Sequence, residues 1–388
     1  MRILMVSNLW PPEVLGGAEQ MAASLAERLI SNGHAVRAVS LGESDCSDSD
    51  PAVVAVVKPF PYPIRDSGSQ PAFRRAIFHL ADLHRRATVR ALDAAVAQFR
   101  PDVVHTHALQ GLSTTALTFP SRRGLPHVHT VHDYWLLCQR NSLVRRDGTS
   151  CDERCFACSA VSKVRNASVG RSAPDVLLAV SKAVAERHES LEWAQNRMRV
   201  LYNPVEMSTA ARPQRKVNSP ITFAYLGRLA RDKGLATLLS AFDRARSISD
   251  VELRLVVAGR GPLESIVRTA RGVDYRGWVT GPEKEAVFAE SDAVVVPSEW
   301  PDPAPLVASE ARARGIAVIG AASGGIPELV SRECNALLFA PRDAKELSLR
   351  LVDFAAAPFA PQPEAAPSDW DTYLAGTLSA YLDACRRS

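Results

Sequence analysis

The amino-acid sequence predicts an α/β protein built from two doubly wound domains, each with a parallel sheet covered by helices. The chain has 388 residues, which is long for one domain and suits two. Strand-like apolar runs alternate with segments of helical periodicity along both halves. A polar stretch around Pro213 separates the halves. We therefore expect domains at 1–205 and 221–367, a linker at 206–220 and a terminal helix at 368–388.

The composition argues against several classes of protein. Hydrophobic residues make up 46% and charged residues 23% of the chain, as in an ordinary globular protein. The net charge of +4 is too small to indicate a nucleic-acid partner. No apolar run reaches the roughly 18 residues of a membrane span. The N-terminal MRILMVSN lacks the cleavage site of a signal peptide, so we expect a cytoplasmic location.

The first predicted βαβ unit carries a glycine pair before its helix. A strand at 2–6 is followed by a loop at 7–17 and by a helix at 18–32. Gly16 and Gly17 lie where this helix begins, so the backbone can approach a phosphate closely and direct N–H groups toward it. The geometry of a tight turn explains the pair equally well.

Residues 71–100 are predicted to form one long basic helix. Arginines and histidines alternate there with apolar residues, among them Arg74, Arg75, Arg85, Arg86, Arg90, His79 and His84. Two interpretations fit this pattern. One is a solvated face on a helix that packs on the core, and the other is peripheral contact with a membrane surface or an anionic acceptor.

A histidine follows the predicted strand within HVHTVHDYWLL. His132 and Asp133 come directly after this strand. In doubly wound domains the carboxyl ends of the strands border the ligand crevice. An imidazole at this position can contact a ligand, so we predict a functional role for His132.

Four of the seven cysteines lie in the loop 138–158. In a reducing compartment such a cluster favours metal binding over disulfides. Cys138, Cys151, Cys155 and Cys158 could close a tetrahedral structural zinc site. Reduced thiols and an iron–sulfur cluster also fit the spacing.

The second half opens with a predicted strand at 222–226 and the loop GRLARDKG at 227–234. Gly227 allows a tight turn, and Arg228 and Lys233 can reach one side of the loop. Two cations at a strand-to-helix turn suit a diphosphate, because arginine makes planar contacts and lysine supplies a point charge. Solvated surface charge is the alternative interpretation.

The densest set of unusual residues lies between 297 and 330. Asp302 falls on a Pro-rich loop after a predicted strand, and Glu310 falls about one turn into the next helix. Both carboxylates can therefore face one crevice at the carboxyl edge of the sheet. Glu299 is a competing acid in the same loop. The turn at 323–325 leads into another helix and suits an anion.

In order and spacing, these segments resemble the large family 4 of retaining glycosyltransferases, of the bacterial polysaccharide and glycoconjugate type. The resemblance covers nearly the whole chain. The segments that carry it are the glycine pair 16–17, His132 in HTVHD, GRLARDKG at 227–234, AGRGP at 258–262, the pair Asp302 and Glu310, and GGIPELV at 324–330. It implies the GT-B fold, in which two Rossmann-like domains face each other across a cleft.

The resemblance also implies the roles of individual residues. A nucleotide-diphosphate sugar would be the donor, bound by Gly16, Gly17, Gly227, Arg228, Lys233, Gly259, Gly277, Trp278, Val279, Leu306, Val307 and Glu310. Among these, Arg228 and Lys233 would hold the diphosphate without a metal or other cofactor, and Glu310 would bind the ribose hydroxyls. His132 would contact the sugar near the reacting carbon. Asp302 would hold a donor hydroxyl or stabilise positive charge.

The implied reaction retains the anomeric configuration, and the departing phosphate oxygen takes the proton of the acceptor. The terminal helix would cross back to the first domain. The chain departs from the family pattern at Asp302, where glutamate is usual, and at Pro305, where many members have glycine. Both departures concern the contact with the donor sugar more than the activity itself.

Several alternatives stay open. The acceptor is a glycan, a lipid-linked sugar or a small molecule, and synthesis of cell-surface polysaccharide is preferred over that of a secondary-metabolite glycoside. Contact through 71–100 would place the enzyme at the inner face of the cell membrane. A nucleotide-sugar-binding protein without turnover and a sugar-nucleotide epimerase are the competing functions.

Overall fold

The computed structural model describes residues 1–42, 53–145, 151, 156–207, 219–330, 332–363 and 368–388. The chain divides into two compact units. One contains Met1–Leu143, Cys151–Leu201 and Asp371–Ser388, and most of the other is Tyr202–Trp370. No helix among the described residues is long and apolar enough to cross a membrane.

The first unit contains a parallel sheet with helices on both faces. Its strands are β1 Arg2–Val6, β2 Ala35–Leu41, β3 Val53–Val57, β4 Val103–Thr106, β5 His127–Val131, β6 Val176–Ala179 and β7 Met198–Val200. Apart from the last helix of the chain, its helices are α1 Gly17–Ser31, α2 Ala72–Ala81, α3 Arg86–Phe99, α4 Thr114–Arg122, α5 Phe156–Gly170 and α6 Lys182–His188. The sheet order is β3-β2-β1-β4-β5-β6-β7, so the direction of winding reverses between β1 and β4.

The second unit repeats this architecture with fewer strands. Its strands are β8 Ile221–Leu226, β9 Leu253–Ala258, β10 Val273–Gly277, β11 Ala293–Val296 and β12 Ala317–Gly320. Its helices are α7 Leu235–Ile248, α8 Glu264–Thr269, α9 Gly281–Glu290, α10 Leu306–Ala313, α11 Ile326–Leu329 and α12 Ala344–Ala356. The order β10-β9-β8-β11-β12 places the reversal between β8 and β11. Two parallel-sheet α/β units are therefore present, as the sequence predicts.

The central strands are buried because helices cover both faces of each sheet. All four residues of β11, Ala-Val-Val-Val, are buried, and so are the first five of β8. Strands buried on both faces appear in sequence as continuous apolar runs, which is why they are easily predicted. The last helix, α13 Trp370–Arg387, lies almost wholly in the first unit, where Tyr381 contacts the ring of His105.

The prediction of one continuous helix over 71–100 is wrong, because the helix is interrupted between α2 and α3. Asp82 is the cause. Its side chain is buried and its carboxylate accepts hydrogen bonds from the Gly111 N–H at 2.8 Å and the Trp135 indole N–H at 2.6 Å. The buried guanidinium of Arg165 pairs with the same carboxylate at 3.4 Å. These contacts hold the chain in the core at Asp82, and α3 starts again four residues later.

Candidate active site

The second unit brings two candidate loops together where its sheet order reverses. The loop 227–234 follows β8 and the loop 297–305 follows β11, and these strands are neighbours in the sheet. Ligands of open α/β sheets bind beside the carboxyl ends of the strands at such a reversal. The loop after β12 lies against the second of these loops, since the Gly325 N–H donates to the Asp302 carbonyl at 2.8 Å.

Asp302 and Lys233 form an ion pair at the centre of this site. The Lys233 ammonium lies 2.6 Å from Oδ2 of Asp302, whose side chain is only 6% exposed. The Ser298 hydroxyl donates to the same oxygen at 2.9 Å, and the ammonium also lies 5.1 Å from the centre of the Trp300 ring. A cation and a carboxylate are therefore held in fixed positions before any ligand binds.

Two glycines allow this close approach of backbone segments. Gly234 has φ of +71°, and a Cβ there would lie 1.7 Å from the Pro297 carbonyl oxygen. Gly324 has φ of +57°, and a Cβ there would lie 2.3 Å from the Asp302 carbonyl oxygen. Any other residue at either position would push the loops apart as well as strain its own backbone. Both glycines are thus required for the pairing of Lys233 with Asp302.

Arg228 lies on the same loop as Lys233 and is more exposed. Its guanidinium pairs with Asp232 four residues later, and its side chain is 49% exposed. Its carbonyl accepts a hydrogen bond from the buried Tyr225 hydroxyl at 2.7 Å, which fixes the backbone and leaves the guanidinium at the surface. An exposed pair of this kind adds little stability, so Arg228 can exchange Asp232 for another anion at small expense.

Glu299 points away from the ion pair. Its carboxylate accepts a hydrogen bond from the Thr237 hydroxyl at 2.7 Å and lies 3.4 Å from Nε of Arg342. Thr237 belongs to α7, so this acid links the loop to a helix. Between the two competing acids of the loop, Asp302 is the one that contacts Lys233.

The helix α10 presents its N-terminus and one acid to the same end of the sheet. Pro305 caps the helix, and the Ala308 N–H bonds to its carbonyl at 3.0 Å. The N–H groups of Leu306 and Val307 begin the first turn, where the helix itself supplies no acceptor. Proline at 305 removes a donor outside the helix and leaves these two available.

Glu310, one turn further along α10, is held by a lysine. The Lys284 ammonium from α9 lies 2.5 Å from Oε1 of Glu310. Both side chains are partly exposed. The two acids predicted to bind the donor therefore share one arrangement, in which each carboxylate accepts a hydrogen bond from a lysine.

The other predicted donor contacts lie at the ends of β9 and β10. The Gly259 N–H donates to the Gly277 carbonyl at 2.6 Å, and the Tyr275 hydroxyl donates to the Gly259 carbonyl at 3.0 Å. Trp278 follows the strand and is 48% exposed, and Val279 comes next. Gly259 also lies against the loop that contains Gly227, because a Cβ at Gly259 would lie 1.8 Å from the Gly227 carbonyl oxygen.

In the first unit, the glycine pair begins α1 as predicted, but one of its N–H groups is occupied. The Glu19 carboxylate accepts a hydrogen bond from the Gly16 N–H at 3.0 Å. Glu19 is 5% exposed, and burial raises the pKa of its carboxyl group. The Gly17 N–H, at the first position of α1, has no acceptor within the helix.

His132 is half-buried and contacts a cluster of buried histidines on β4 and β5 and directly after β4. Its Nε2 lies 3.0 Å from Nδ1 of His107. His105 contacts the hydroxyls of Tyr381 and Thr130, each at 2.8 Å. Burial lowers the pKa of His132 to about 4 and that of His129 to about 3, and it lowers the pKa values of His105, His107 and His127 well below the usual range. All five imidazoles are therefore neutral at pH 7.

This cluster predicts that acid destabilises the first unit. A histidine whose pKa is lowered in the folded state is protonated on unfolding, so its stabilising contribution is lost as pH falls below about 6.5, at up to about 1.4 kcal/mol per pH unit. The acids Glu19, Asp82 and Asp133 act in the opposite sense because burial raises their pKa values, that of Asp133 to about 6. Five histidines outweigh three acids. The free energy of unfolding in urea should fall by roughly 2–4 kcal/mol between pH 6.5 and 5.5.

A variant pair identifies the source of this pH dependence. The slope of the unfolding free energy against pH reports how many more protons the unfolded state binds than the folded state. His129→Asn should reduce that number by about one. His84→Asn, at an exposed histidine outside the cluster, is the matched control. A free energy that is constant or rises as pH falls from 6.5 to 5.5 would contradict the burial of neutral histidines.

The structure describes part of the cysteine cluster. The Arg140 N–H donates to Sγ of the buried Cys138 at 3.4 Å. A hydrogen bond with Cys158, on the first turn of α5, lowers the pKa of Cys138 to about 5, so these two sulfurs are neighbours. Cys155 lies outside the described residues, and within those residues no three metal-binding side chains converge. The four-cysteine zinc site stays a prediction.

Several residues of the candidate site were not predicted. The side chains of Ser298, Trp300, Lys284, Glu19 and His107 each contact a residue that was. Only Glu19 had a local signal, since glutamate three residues after a helix N-cap is the pattern of a capping box. Lys284 and Glu310 are 26 residues apart, so folding alone brings them together.

Comparison with known proteins identifies related chains. The family model described as Glycosyltransferase Family 4 matches residues 15–209, and that described as Glycosyl transferases group 1 matches residues 220–356. An uncharacterized 42.6 kDa protein in the cps region of Klebsiella pneumoniae is 26% identical over 85% of this chain and 87% of its own.

Solved structures resemble the chain over its whole length. A sucrose-phosphate synthase from Thermosynechococcus elongatus gives a TM-score of 0.73 at 20% identity and covers 100% of both chains. Anabaena Alr3699/HepE in complex with UDP-glucose gives a TM-score of 0.62 at 16% identity, covering 100% of this chain and 95% of its own. At these identities the likeness concerns the fold.

Proposed function

We propose, from the premise that this chain belongs to glycosyltransferase family 4 and has its GT-B fold, that it transfers a sugar from a nucleotide-diphosphate sugar to an acceptor with retention of configuration. The chain is a glycosyltransferase, and the predicted family is confirmed. The proposal about the donor and the reaction is supported by the group formed by Arg228, Lys233 and Asp302, where the strand order of the second sheet reverses.

The diphosphate of the donor is proposed to bind to the two cations of the loop 227–234. Arg228 leaves Asp232 for the phosphate oxygens, since its present pair is exposed and weak. Lys233 keeps Asp302 and adds a phosphate contact, because an ammonium has three donors. The first-turn N–H groups of Leu306 and Val307 supply further donors, and the dipole of α10 favours the negative charge.

The nucleoside is proposed to extend toward α9 and the edge strand. Glu310 accepts hydrogen bonds from the ribose hydroxyls, as the family resemblance implies. Lys284 already uses Oε1, so Oε2 is the oxygen best placed to accept from ribose. Gly277, Trp278 and Val279 then border the nucleobase, and the exposed Trp278 ring offers a stacking surface.

The chemistry proposed for these residues is electrostatic. As the bond between sugar and diphosphate breaks, Arg228 and Lys233 neutralise the negative charge that develops on the leaving group. The acceptor attacks the face that the diphosphate leaves, and a phosphate oxygen takes the acceptor proton. Asp302 holds a donor hydroxyl or stabilises positive charge on the sugar, and His132 contacts the sugar near the reacting carbon. No further cofactor is part of the proposal.

The acceptor is proposed to belong to cell-surface polysaccharide or glycoconjugate synthesis. The Klebsiella relative lies in a cps region, and the chain matches 87% of its length. A glycan and a lipid-linked sugar are both acceptors of this type. Glycosylation of a secondary metabolite is the second choice.

A thermal-shift screen with UDP, GDP, ADP and dTDP, each with and without its sugar, tests the proposal. UDP comes first, because a structural relative was solved with UDP-glucose. A ligand that binds only the folded state raises the melting temperature, so one nucleotide should do so selectively. The anomeric configuration of the transferred sugar, read by NMR, then decides retention. No shift with any nucleotide at millimolar concentration would exclude the donor site proposed here.

Binding without turnover is the alternative that this screen leaves open. Asp302 and Pro305 depart from the family pattern and favour it. Release of free nucleotide from the nucleotide sugar, measured by chromatography, separates the two. A shift without any nucleotide release or transfer, in the presence of a crude glycolipid extract, would support a binding protein.

A surface of α2 is proposed to contact the membrane. Phe73, Ile77 and Leu80 lie on one face of this helix and are 66%, 41% and 67% exposed. We call these three residues the α2 stripe. Arg74 and Arg75 flank it, and Phe78 is the buried residue of the helix. Large apolar side chains beside basic ones are typical of a helix that lies in the interface of an anionic bilayer.

Two substitutions in the α2 stripe should weaken vesicle binding. Loss of two apolar side chains, each worth about 1.5–3 kcal/mol when buried, should lower the affinity of Phe73→Ser, Leu80→Ser for phosphatidylglycerol vesicles more than tenfold. Phe156→Ser is the matched control, because this side chain is 90% exposed but lies on α5. Equal flotation of both variants with the vesicles would refute the proposal.

A further inference from the structure

His107 is anchored on both sides and contacts His132 through one ring nitrogen. It follows β4 directly, its backbone N–H donates to the Val6 carbonyl at 2.9 Å, and its side chain is 1% exposed. The ring of His105 covers it, with centroids 4.1 Å apart. Its Nδ1 lies 3.0 Å from Nε2 of His132. The ring is thus buried and held in contact with His132.

The contact between the two rings is an edge-to-edge hydrogen bond. The ring centroids are 5.3 Å apart and the planes meet at 27°. A nitrogen-to-nitrogen distance of 3.0 Å plus the two ring radii accounts for this separation when the rings lie nearly in one plane. A face-to-face stack would bring the centroids closer. One proton must therefore lie between Nδ1 of His107 and Nε2 of His132.

The other nitrogen of His107 decides which ring supplies that proton. Nε2 of His107 is buried and has no hydrogen-bond partner in the part of the chain that the structure describes. If His132 donated, the single proton of a neutral His107 would sit on Nε2 as a buried N–H without an acceptor. If His107 donates, Nε2 is a bare acceptor. Buried N–H groups without partners are the rarer case, so donation by His107 is favoured.

We propose that His107 is a positioning residue that holds His132 in the Nδ1–H tautomer. His132 then presents an N–H donor, and its only lone pair is engaged by His107. The inference rests on the proposed function, which places His132 at the donor sugar. It adds a mechanistic consequence: His132 donates to a sugar oxygen and cannot act as the base that takes the acceptor proton. That role is left to the departing diphosphate oxygen.

Ring-nitrogen NMR of the ¹⁵N-histidine-labelled protein tests the tautomer directly. Disappearance of signals in His132→Gln assigns the residue. We expect the wild-type His132 to carry its proton on Nδ1, and to shift to Nε2–H or a mixture in His107→Leu. His107→Asn should restore the wild-type pattern, because the asparagine amide N–H lies near the position of Nδ1. An Nε2–H tautomer of His132 in the wild type would overturn the proposal. So would an unchanged His132 tautomer in His107→Leu, and neither result depends on whether His107→Asn folds.

Kinetics separate this inference from the proposed function. His107→Leu should lower kcat for donor turnover about tenfold, the effect of one misdirected hydrogen bond, with little change in the KM for donor. His107→Asn should recover most of it. If the NMR result is as expected and His132→Gln itself turns over donor normally, the tautomer assignment stands and the sugar contact proposed for His132 fails. If neither the wild type nor any variant uses a nucleotide sugar, the proposed function fails. The NMR result then still decides whether His107 sets the tautomer of His132.

Discussion

The double substitution Arg228→Ala, Lys233→Ala is expected to abolish both the nucleotide-induced thermal shift and measurable transfer. Each charged donor lost from a developing anion typically lowers kcat by about 10²–10³, so the pair should lower it at least a thousandfold. Arg228 is half exposed and Lys233 is fixed on Asp302, so one adapts to the phosphate and the other is preorganised. Nucleotide release from the donor and the thermal shift with the cognate nucleotide measure the two effects.

Arg231→Ala is the matched control for this experiment. Arg231 lies on the same loop, between the two cations, and its side chain is exposed. Arg231→Ala removes one positive charge from the loop, as Arg228→Ala or Lys233→Ala alone does. A general electrostatic effect on anion binding would therefore appear in Arg231→Ala too. An Arg231→Ala enzyme as impaired as Arg228→Ala would show that the loop attracts anions without a defined clamp. If Arg228→Ala were impaired by the same factor at low and high salt, a direct contact between Arg228 and the phosphate would be favoured.

The sequence predicts the position of the donor loops because parallel strands end at one edge of a sheet. Arg228 follows one buried strand and Asp302 follows another, and buried strands appear as apolar runs. Once both runs are assigned to one parallel sheet, the loops after them must be near each other if the strands are neighbours. The order β8 beside β11 comes from the doubly wound topology. The family resemblance supplied the roles that this geometry leaves open.

What could not be predicted depends on side-chain direction and on contacts between distant segments. Glu299 and Asp302 are three residues apart in one loop, and only the fold shows that Glu299 reaches α7. The interruption of the helix at Asp82 has the same origin, since its carboxylate bonds to Trp135, 53 residues away. Helical periodicity around Asp82 contains no sign of these partners.

Asp302→Asn should reduce transfer about a hundredfold while changing stability little. The substitution keeps the shape of the side chain and removes the charge that would stabilise a positive sugar. Lys233 then loses its anion, but its side chain is 25% exposed and can reach water. The reverse change differs. Lys233→Ala leaves a carboxylate that is 6% exposed with Ser298 as its remaining donor, so it should lower the free energy of unfolding by on the order of 2 kcal/mol.

The comparison of Asp302→Asn with Glu299→Gln decides which acid of the loop belongs to the site. Glu299→Gln removes the same charge from the same loop, but its carboxylate contacts Thr237 and Arg342 and not Lys233. Transfer by Glu299→Gln should therefore stay within about threefold of the wild type, since a partly exposed acid away from the ligand contributes little. If Glu299→Gln were the more impaired variant, the pairing of Lys233 with Asp302 would be structural, and the site would have to be rebuilt around Glu299, Thr237 and Arg342. The stability asymmetry between Lys233→Ala and Asp302→Asn would survive that outcome, because it follows from burial of the carboxylate alone.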